Sequence, residues 1–197
     1  CRLFPLPDLV FFPHNVLPLH IFEPRYRRMT EDALAGDGFV TMVRQSPPTH
    51  GGLDAMGSPP IEMIGCLGKI IQHERTQDGR YFFLLAGLKR VRLHRELATD
   101  KPYRVAEAEI IEDAGTEEPE EPRRLELIKR FRSTFESQGT IDSEFAALLE
   151  SAVPLGVLAD ILANALSFSP DLKQSLLAET HVKRRVESLL QVIGRMN

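Results

Sequence analysis

The spacing of apolar residues changes from a period of two to a period near 3.6 close to residue 115. Before that point the chain holds short runs rich in β-branched and aromatic residues, which are typical of strands. Three such runs are 38–45, 61–74 and 103–111. Beyond it, apolar residues recur at three- and four-residue intervals, as on amphipathic helices. The sequence therefore predicts a β-rich part at 1–115 and a helical part at 116–197.

The pair Asp78-Gly79 marks the clearest turn in the N-terminal part. Asp-Gly between two apolar runs is typical of a hairpin, because glycine adopts a positive φ at no steric cost. We therefore pair a strand ending near Glu74 with a strand beginning at Arg80. Five or six strands with few helices between them indicate an antiparallel or mixed sheet closed into a small barrel.

A segment that is both proline-rich and apolar, LFPLPDLVFFPHNVLPLHIFEPRYRRM, occupies residues 3–29. Proline lacks a backbone N–H and is excluded from central strands, whereas the apolar residues favour burial. We interpret the prolines as breaks between short extended pieces, with Pro13 and Pro18 at bends. Pro24 begins one inserted helix, since proline suits the first helical position. On this interpretation the segment is architectural, and a binding surface lies beside it rather than within it.

The C-terminal part predicts a small helical bundle. One helix follows Arg123, a second begins at Pro154, a third begins at Ser169-Pro170 and the last follows Thr180. The predicted buried positions are Leu125, Ile128, Phe131 and Phe135, then Leu158, Ile161, Leu162 and Ala165, then Val182, Val186, Leu189, Leu190 and Ile193. The acidic stretch 112–122 has no period and predicts an exposed linker. The predicted fold class is α+β: a β barrel with one inserted helix, followed by the bundle.

Amino-acid composition limits the cellular compartment and the kinds of partner expected for this chain. With 43% hydrophobic and 26% charged residues the chain is typical of a globular protein, and no apolar run approaches the roughly 18 residues of a membrane span. Two cysteines give neither a disulfide framework nor a metal spacing, which favours the reducing cytoplasm. The net charge of −4 argues against a general attraction to nucleic acid.

Motifs that carry chemistry are missing from the sequence. It has no G-x-x-x-x-G-K-[ST] phosphate loop, no G-x-S-x-G, no H-E-x-x-H and no C-x-x-C, and its six histidines are scattered. Cys66 lies among glycines and apolar residues, so it is interpreted as a small buried side chain rather than a nucleophile. We therefore expect no catalytic, cofactor-binding or metal-binding residue, and we keep an enzyme using histidines and carboxylates in a cleft as the weakest hypothesis.

The run LKRVRLHR at 88–95 is the most basic part of the chain. On a strand, Arg90, Arg92 and His94 would share one face and form a basic stripe, as in some RNA-binding modules. The stripe has no interleaved aromatic residues on which bases could stack. We therefore favour a solvated strand face opposed by Glu107 and Glu109 on the next strand, and we keep RNA binding as the alternative function.

The stretch FPLPDLVFFPHNVLPLHIFEPRYRRM at 4–29 resembles the opening of the Lon protease N-terminal, or substrate-binding, domain. It is most similar to the form found in small stand-alone bacterial proteins. Three further stretches, IGCLGKIIQ, DGRYFFLLAGLKRVRL and the tail at 158–193, follow in the family's order. The resemblance implies a pseudo-barrel related to the PUA superfold followed by a helical bundle. The phosphate loop and the serine–lysine pair of full-length Lon have no counterparts in these 197 residues.

The resemblance implies a role in recognising proteins or unfolded peptide segments, for instance as an adaptor in proteolysis or quality control. The groove between barrel and bundle, flanked by the proline-rich loop 45–60, is the expected place. Phe11, Phe12 and His14 are candidate contacts wherever they are exposed, although core packing is favoured for each. Arg90 and Arg92 are candidates on the basic strand. A homodimer is kept as a further hypothesis.

Overall fold

The computed structural model describes residues 1–46, 59–115, 121–136 and 143–196. Within these ranges the chain forms six strands and six helices, which confirms the α+β class. The strands are β1 (Leu3–Leu6), β2 (Val16–Ile21), β3 (Phe39–Arg44), β4 (Ile64–Arg75), β5 (Tyr81–Leu97) and β6 (Val105–Ile111). The helices are α1 (Pro24–Leu34), α2 (Glu121–Glu136), α3 (Ser143–Glu150), α4 (Leu155–Ala165), α5 (Pro170–Ala178) and α6 (Val182–Met196). Most of the predicted loop 45–60 and the middle of the linker 112–122 lie outside the described residues.

One mixed sheet wraps into a pseudo-barrel. β1 pairs parallel with β3, and β3–β4, β4–β5 and β5–β6 pair antiparallel. The circuit closes where β6 meets the N-terminus: Leu3 N–H donates to Arg104 O, and Ala106 N–H donates to Cys1 O. β5 is 17 residues long. Its second half pairs with β6 and belongs to this closed circuit, whereas its first half pairs with β2 instead.

The predicted hairpin at Asp78-Gly79 is confirmed. Arg75 pairs with Tyr81, and Gly79 has a φ of 79°, which a side chain would strain. Thr76 closes the turn: its N–H donates to Arg80 O, its hydroxyl accepts the Arg80 N–H, and its carbonyl accepts the Gly79 N–H. The long β4–β5 pair that results carries the remaining strands on its two edges.

The proline-rich opening segment supplies two strands, one turn and the start of α1. Pro24 occupies the first helical position, as predicted, and Tyr26, Met29 and Ala33 are buried on one face of α1. The interpretation of Pro18 as a bend is wrong, because Pro18 lies inside β2. An edge strand tolerates proline when the missing N–H would have pointed to solvent.

The bundle follows the predicted helical spacing in α4, α5 and α6. Ser169 caps α5 by accepting the Leu172 N–H, and Pro170 follows it. All five predicted positions of α6 are buried: Val182, Val186, Leu189, Leu190 and Ile193. In α2, Phe131 is buried and Ile128 packs against the core, as predicted, whereas Leu125 is exposed and the buried Leu127 was not predicted. Ala165, at the end of α4, is exposed instead of buried.

The two parts of the chain share a core. Val10 and Phe12, from the N-terminal part, pack into the cluster formed by α2, α3, α4, α5 and α6. Phe11 points the other way, into the barrel core. Neighbouring residues of one extended segment thus pack into both cores, so the bundle is packed against the barrel. The division of the chain near residue 115 into separate domains stays a prediction.

Candidate functional site

Two of the predicted contact residues are not at the surface. Phe11 and Phe12 are 3% and 0% exposed. They are therefore not exposed contacts, and the core packing that the sequence favours for them is what the structure has. Both are buried because the segment that carries them lies between barrel and bundle. His14 is exposed and has a φ of 64°, and its N–H donates to Gly87 O at 2.9 Å. His14 therefore stays a candidate contact.

Arg90 does not belong to an exposed basic stripe. Its side chain is 4% exposed and makes a bidentate pair with Asp160 of α4, with N···O distances of 2.7 and 2.5 Å. Arg185 of α6 lies beside them and binds Asp113, with distances of 3.0 and 2.5 Å. Arg90, Asp113, Asp160 and Arg185 form a four-charge network that joins β5 to the bundle. Bidentate pairs of this kind fix geometry as well as charge.

The exposed cations of the same strand are paired, as the solvated-face interpretation predicts. Arg92 binds Glu109 at 2.9 Å and Arg95 binds Glu107 at 2.8 Å, both carboxylates lying on β6. Arg92 therefore presents a cation that is locally neutralised. RNA binding stays a prediction, although this strand offers it less free positive charge than the sequence suggested.

An exposed aromatic cluster lies on the outer face of β2 and the first half of β5. The ring of His20 stacks on Phe82 with centroids 4.2 Å apart and planes 6° apart, and Phe22 lies 5.8 Å from His20. Phe22 and Phe82 are 59% and 46% exposed. We call Pro18, His20, Phe22, Phe82 and Leu84 the aromatic face. Contiguous exposed apolar side chains of this kind mark interaction sites more often than scattered ones do.

The aromatic face adjoins an open strand edge. Within the described residues β2 pairs only with β5 and ends the strand order of the sheet. Gly87 N–H donates to Asn15 O at 2.8 Å, so the bonded pairs along this ladder fall on Leu17, Leu19 and Ile21. Because bonded and non-bonded pairs alternate, the main-chain groups of Val16, Pro18 and His20 point away from β5. These three residues present the free edge.

A shallow cavity of about 380 Å³ covers the same face. Cross-strand rows build it: Phe82 lies between His20 and Glu74, and Leu84 lies between Pro18 and Gln72. Glu74 makes no ion pair within the described residues, so the lining carries one free carboxylate. The cavity is therefore apolar at its centre and weakly acidic at one side.

Two further clefts lie between barrel and bundle, where the sequence predicted a groove. One, of about 220 Å³, runs from Asp8 to Phe168 and Lys173. The other, of about 410 Å³, is lined by Arg44, Gln174 and the exposed Asp171, to which Arg44 is bound at 2.6 Å. Both are more polar than the aromatic face, and Arg44, Asp171 and Lys173 are already paired or bonded there, which makes the two clefts weaker candidates for apolar chain segments.

The described residues offer little for chemistry. No three histidine, cysteine, aspartate or glutamate side chains come together there as a metal site. Cys66 is buried, and burial raises the pKa of its thiol well above the ordinary range, which disfavours the nucleophilic thiolate. No helix in the described part of the chain is long and apolar enough to cross a membrane.

Sequence reasoning did not single out Phe22, His20 or Phe82. The alternation in VLPLHIF and YFFLL separates Leu17, Leu19 and Ile21 from the residues between them, so a two-face pattern was visible. Both faces are apolar, however, and periodicity alone does not tell which one is covered. The candidate surface thus includes part of the opening segment, which the sequence predicts to be architectural.

A family model for the substrate-binding domain of the ATP-dependent protease La (LON) matches residues 1–195. The chain is 27% identical over 195 residues to Lon protease 2 of Myxococcus xanthus, covering 98% of this chain and 23% of that protein. It is 27% identical over 190 residues to the Lon protease of Escherichia coli K12, covering 96% of this chain and 24% of that protein. The chain therefore spans about a quarter of the length of these relatives.

Two solved structures share the fold. A Lon N-terminal domain protein from Xanthomonas campestris gives a TM-score of 0.71 at 23% identity, with 96% of each chain covered. The N-terminal domain of the Mycobacterium avium complex Lon protease gives a TM-score of 0.76 at 16% identity, with 98% and 97% covered. The predicted arrangement of pseudo-barrel and bundle agrees with both.

Proposed function

Because the chain belongs to the family of LON substrate-binding domains, we propose that it binds polypeptides and carries out no reaction of its own. The ligand is an exposed apolar segment of an unfolded or partly unfolded protein. The site is the aromatic face, with the adjoining edge of β2. In this role the domain acts as an adaptor in cytoplasmic proteolysis or quality control.

The observation that carries the proposal is the exposure of the His20–Phe22–Phe82 cluster beside an unpaired strand edge. Aromatic side chains dominate binding energy at interfaces, since they remove a large apolar area from water with few rotatable bonds. An unfolded client supplies the complementary apolar side chains, which a folded protein keeps buried. A weakly acidic rim does not repel such segments unless they are acidic themselves.

The test measures binding of reduced, carbamidomethylated ribonuclease A, which stays unfolded and is basic, by fluorescence anisotropy. Phe82→Ser removes the central ring of the aromatic face, and we expect the affinity to fall about thirtyfold, which corresponds to the roughly 2 kcal/mol of one interface hot spot. Ile110→Ser is the matched control, because Ile110 is 54% exposed on β6 and lies outside the aromatic face. Equal effects of the two substitutions, or no binding by the unaltered protein, would contradict the proposal.

A further inference from the structure

We propose that clients bind by antiparallel strand addition to the free edge of β2, with every second client side chain placed on the aromatic face. This inference rests on the proposed function and names its binding mode and ligand class. The ligand is an extended segment with apolar residues at alternate positions. Segments of this kind form strands with one face packed on the core of a folded protein, and that face becomes accessible when the protein unfolds.

Main-chain geometry argues for an extended polypeptide as the occupant. Val16 and His20 each direct an N–H and a C=O away from β5, and Pro18 directs a C=O alone. An antiparallel segment has the donors and acceptors that match these groups, whereas a helix keeps its own groups bonded internally. The client residues opposite Val16, Pro18 and His20 then project to the same side as those residues, next to the ring of Phe82.

Pro18 disfavours a second copy of this chain as the occupant. Each β2 strand brings one Pro18, so any two-fold pairing of two β2 strands lacks two N–H donors. A client segment without proline leaves only the single donor of Pro18 missing. The edge therefore accepts a foreign strand better than it accepts itself, as edge prolines do in sheets that resist self-association.

Charge narrows the ligand class further. Glu74 is the one formal charge among the residues that line the cavity, and it has no ion-pair partner in the described part of the chain. Two strand spacings, about 10 Å, separate β4 from β2, so the repulsion of an acidic client is screened but not abolished. We expect neutral or basic segments to bind and acidic ones to bind about twofold more weakly.

The experiment uses a labelled nine-residue peptide in which phenylalanine and valine alternate with threonine, with a lysine at each end. Two matched versions carry three N-methyl groups each, on the apolar residues or on the threonines. In antiparallel addition the apolar residues direct their N–H groups to β2, so methylating them should weaken binding at least tenfold. Methylating the threonines should change the affinity less than threefold.

The outcomes separate this inference from the proposed function. If both methylated versions bind like the parent peptide, clients bind through side chains alone and strand addition is overturned. If the threonine version is the one that loses binding, the antiparallel register is overturned. If the parent peptide does not bind while an unfolded protein does, the ligand class is wrong, and if neither binds, the proposed function fails.

A protein variant tests the role assigned to Pro18. Pro18→Val restores the missing N–H donor and keeps an apolar, strand-forming residue at the edge. One added hydrogen bond should tighten peptide binding about two- to tenfold. An unchanged or weaker affinity in a variant whose circular dichroism spectrum is unaltered would overturn the edge geometry.

Discussion

At the residue scale, Arg90 and Arg92 show how one strand can carry cations with different roles. Two positions apart in the sequence, they differ because the bundle covers β5 at Arg90 and leaves it uncovered at Arg92. Arg90 binds Asp160 in the interior, and Arg92 binds Glu109 in solvent. Alternation along the strand was predictable from the sequence, but the packing that buries Arg90 was not, since it depends on residues 70 positions away.

We expect Arg90→Ala to lower the free energy of unfolding by about 3–5 kcal/mol, because it leaves the buried carboxylate of Asp160 with less compensation. Arg92→Ala is the matched control and should lower it by less than about 1 kcal/mol, as exposed pairs contribute little. Urea unfolding followed by circular dichroism measures both, the chain having no tryptophan. Similar losses in the two variants would contradict a structural role for the four-charge network.

At the element scale, β2 explains the apparent contradiction in the opening segment. The segment is apolar because its inward residues line the barrel and its outward residues form the aromatic face. It contains prolines because one extended piece ends at a turn and another is an edge strand. The elements and the hairpin were predictable from local patterns. The pairing of β2 with β5, which creates the free edge, was not predictable, because it depends on a contact between segments distant in the sequence.

The loop before β6 is tied to α1 through Asp32, which pairs with Lys101 at 2.9 Å and accepts a hydrogen bond from the Tyr103 hydroxyl at 2.6 Å. Burial and this bond raise the pKa of Tyr103 to about 12. Because that value lies above the ordinary value of about 10, the stabilising contribution is complete below about pH 10 and is lost as the pH rises to about 12.

Tyr103→Phe should therefore lower the free energy of unfolding by about 1 kcal/mol at pH 7 and make its decline between about pH 10 and 12 shallower. Urea unfolding at a series of pH values measures this. Tyr81→Phe is the control, since Tyr81 is also buried but its hydroxyl has no hydrogen bond within the described residues. A decline as steep as in the unaltered protein would contradict the assignment.

At the scale of the whole molecule, the bundle meets the second half of β5 at Arg90, and the first half carries the exposed aromatic face. The shared core at Val10 and Phe12 and the four-charge network rigidify the junction. The free edge of β2 and the aromatic face lie on the first half of β5, which pairs with β2, whereas Arg90 and the bundle meet its second half. The molecule thus separates the region that holds it together from the region that we propose binds clients.

Amide hydrogen exchange, measured by NMR with and without the parent peptide, tests the central claim most directly. In the free protein the amides of Val16 and His20 should exchange fast, and those of Leu17 and Leu19 slowly, because only the latter are bonded to β5. Saturating peptide should slow Val16 and His20 at least tenfold and change Leu17 and Leu19 little. Unchanged exchange at Val16 and His20, with new protection around Arg44 and Gln174 instead, would contradict binding at the edge of β2.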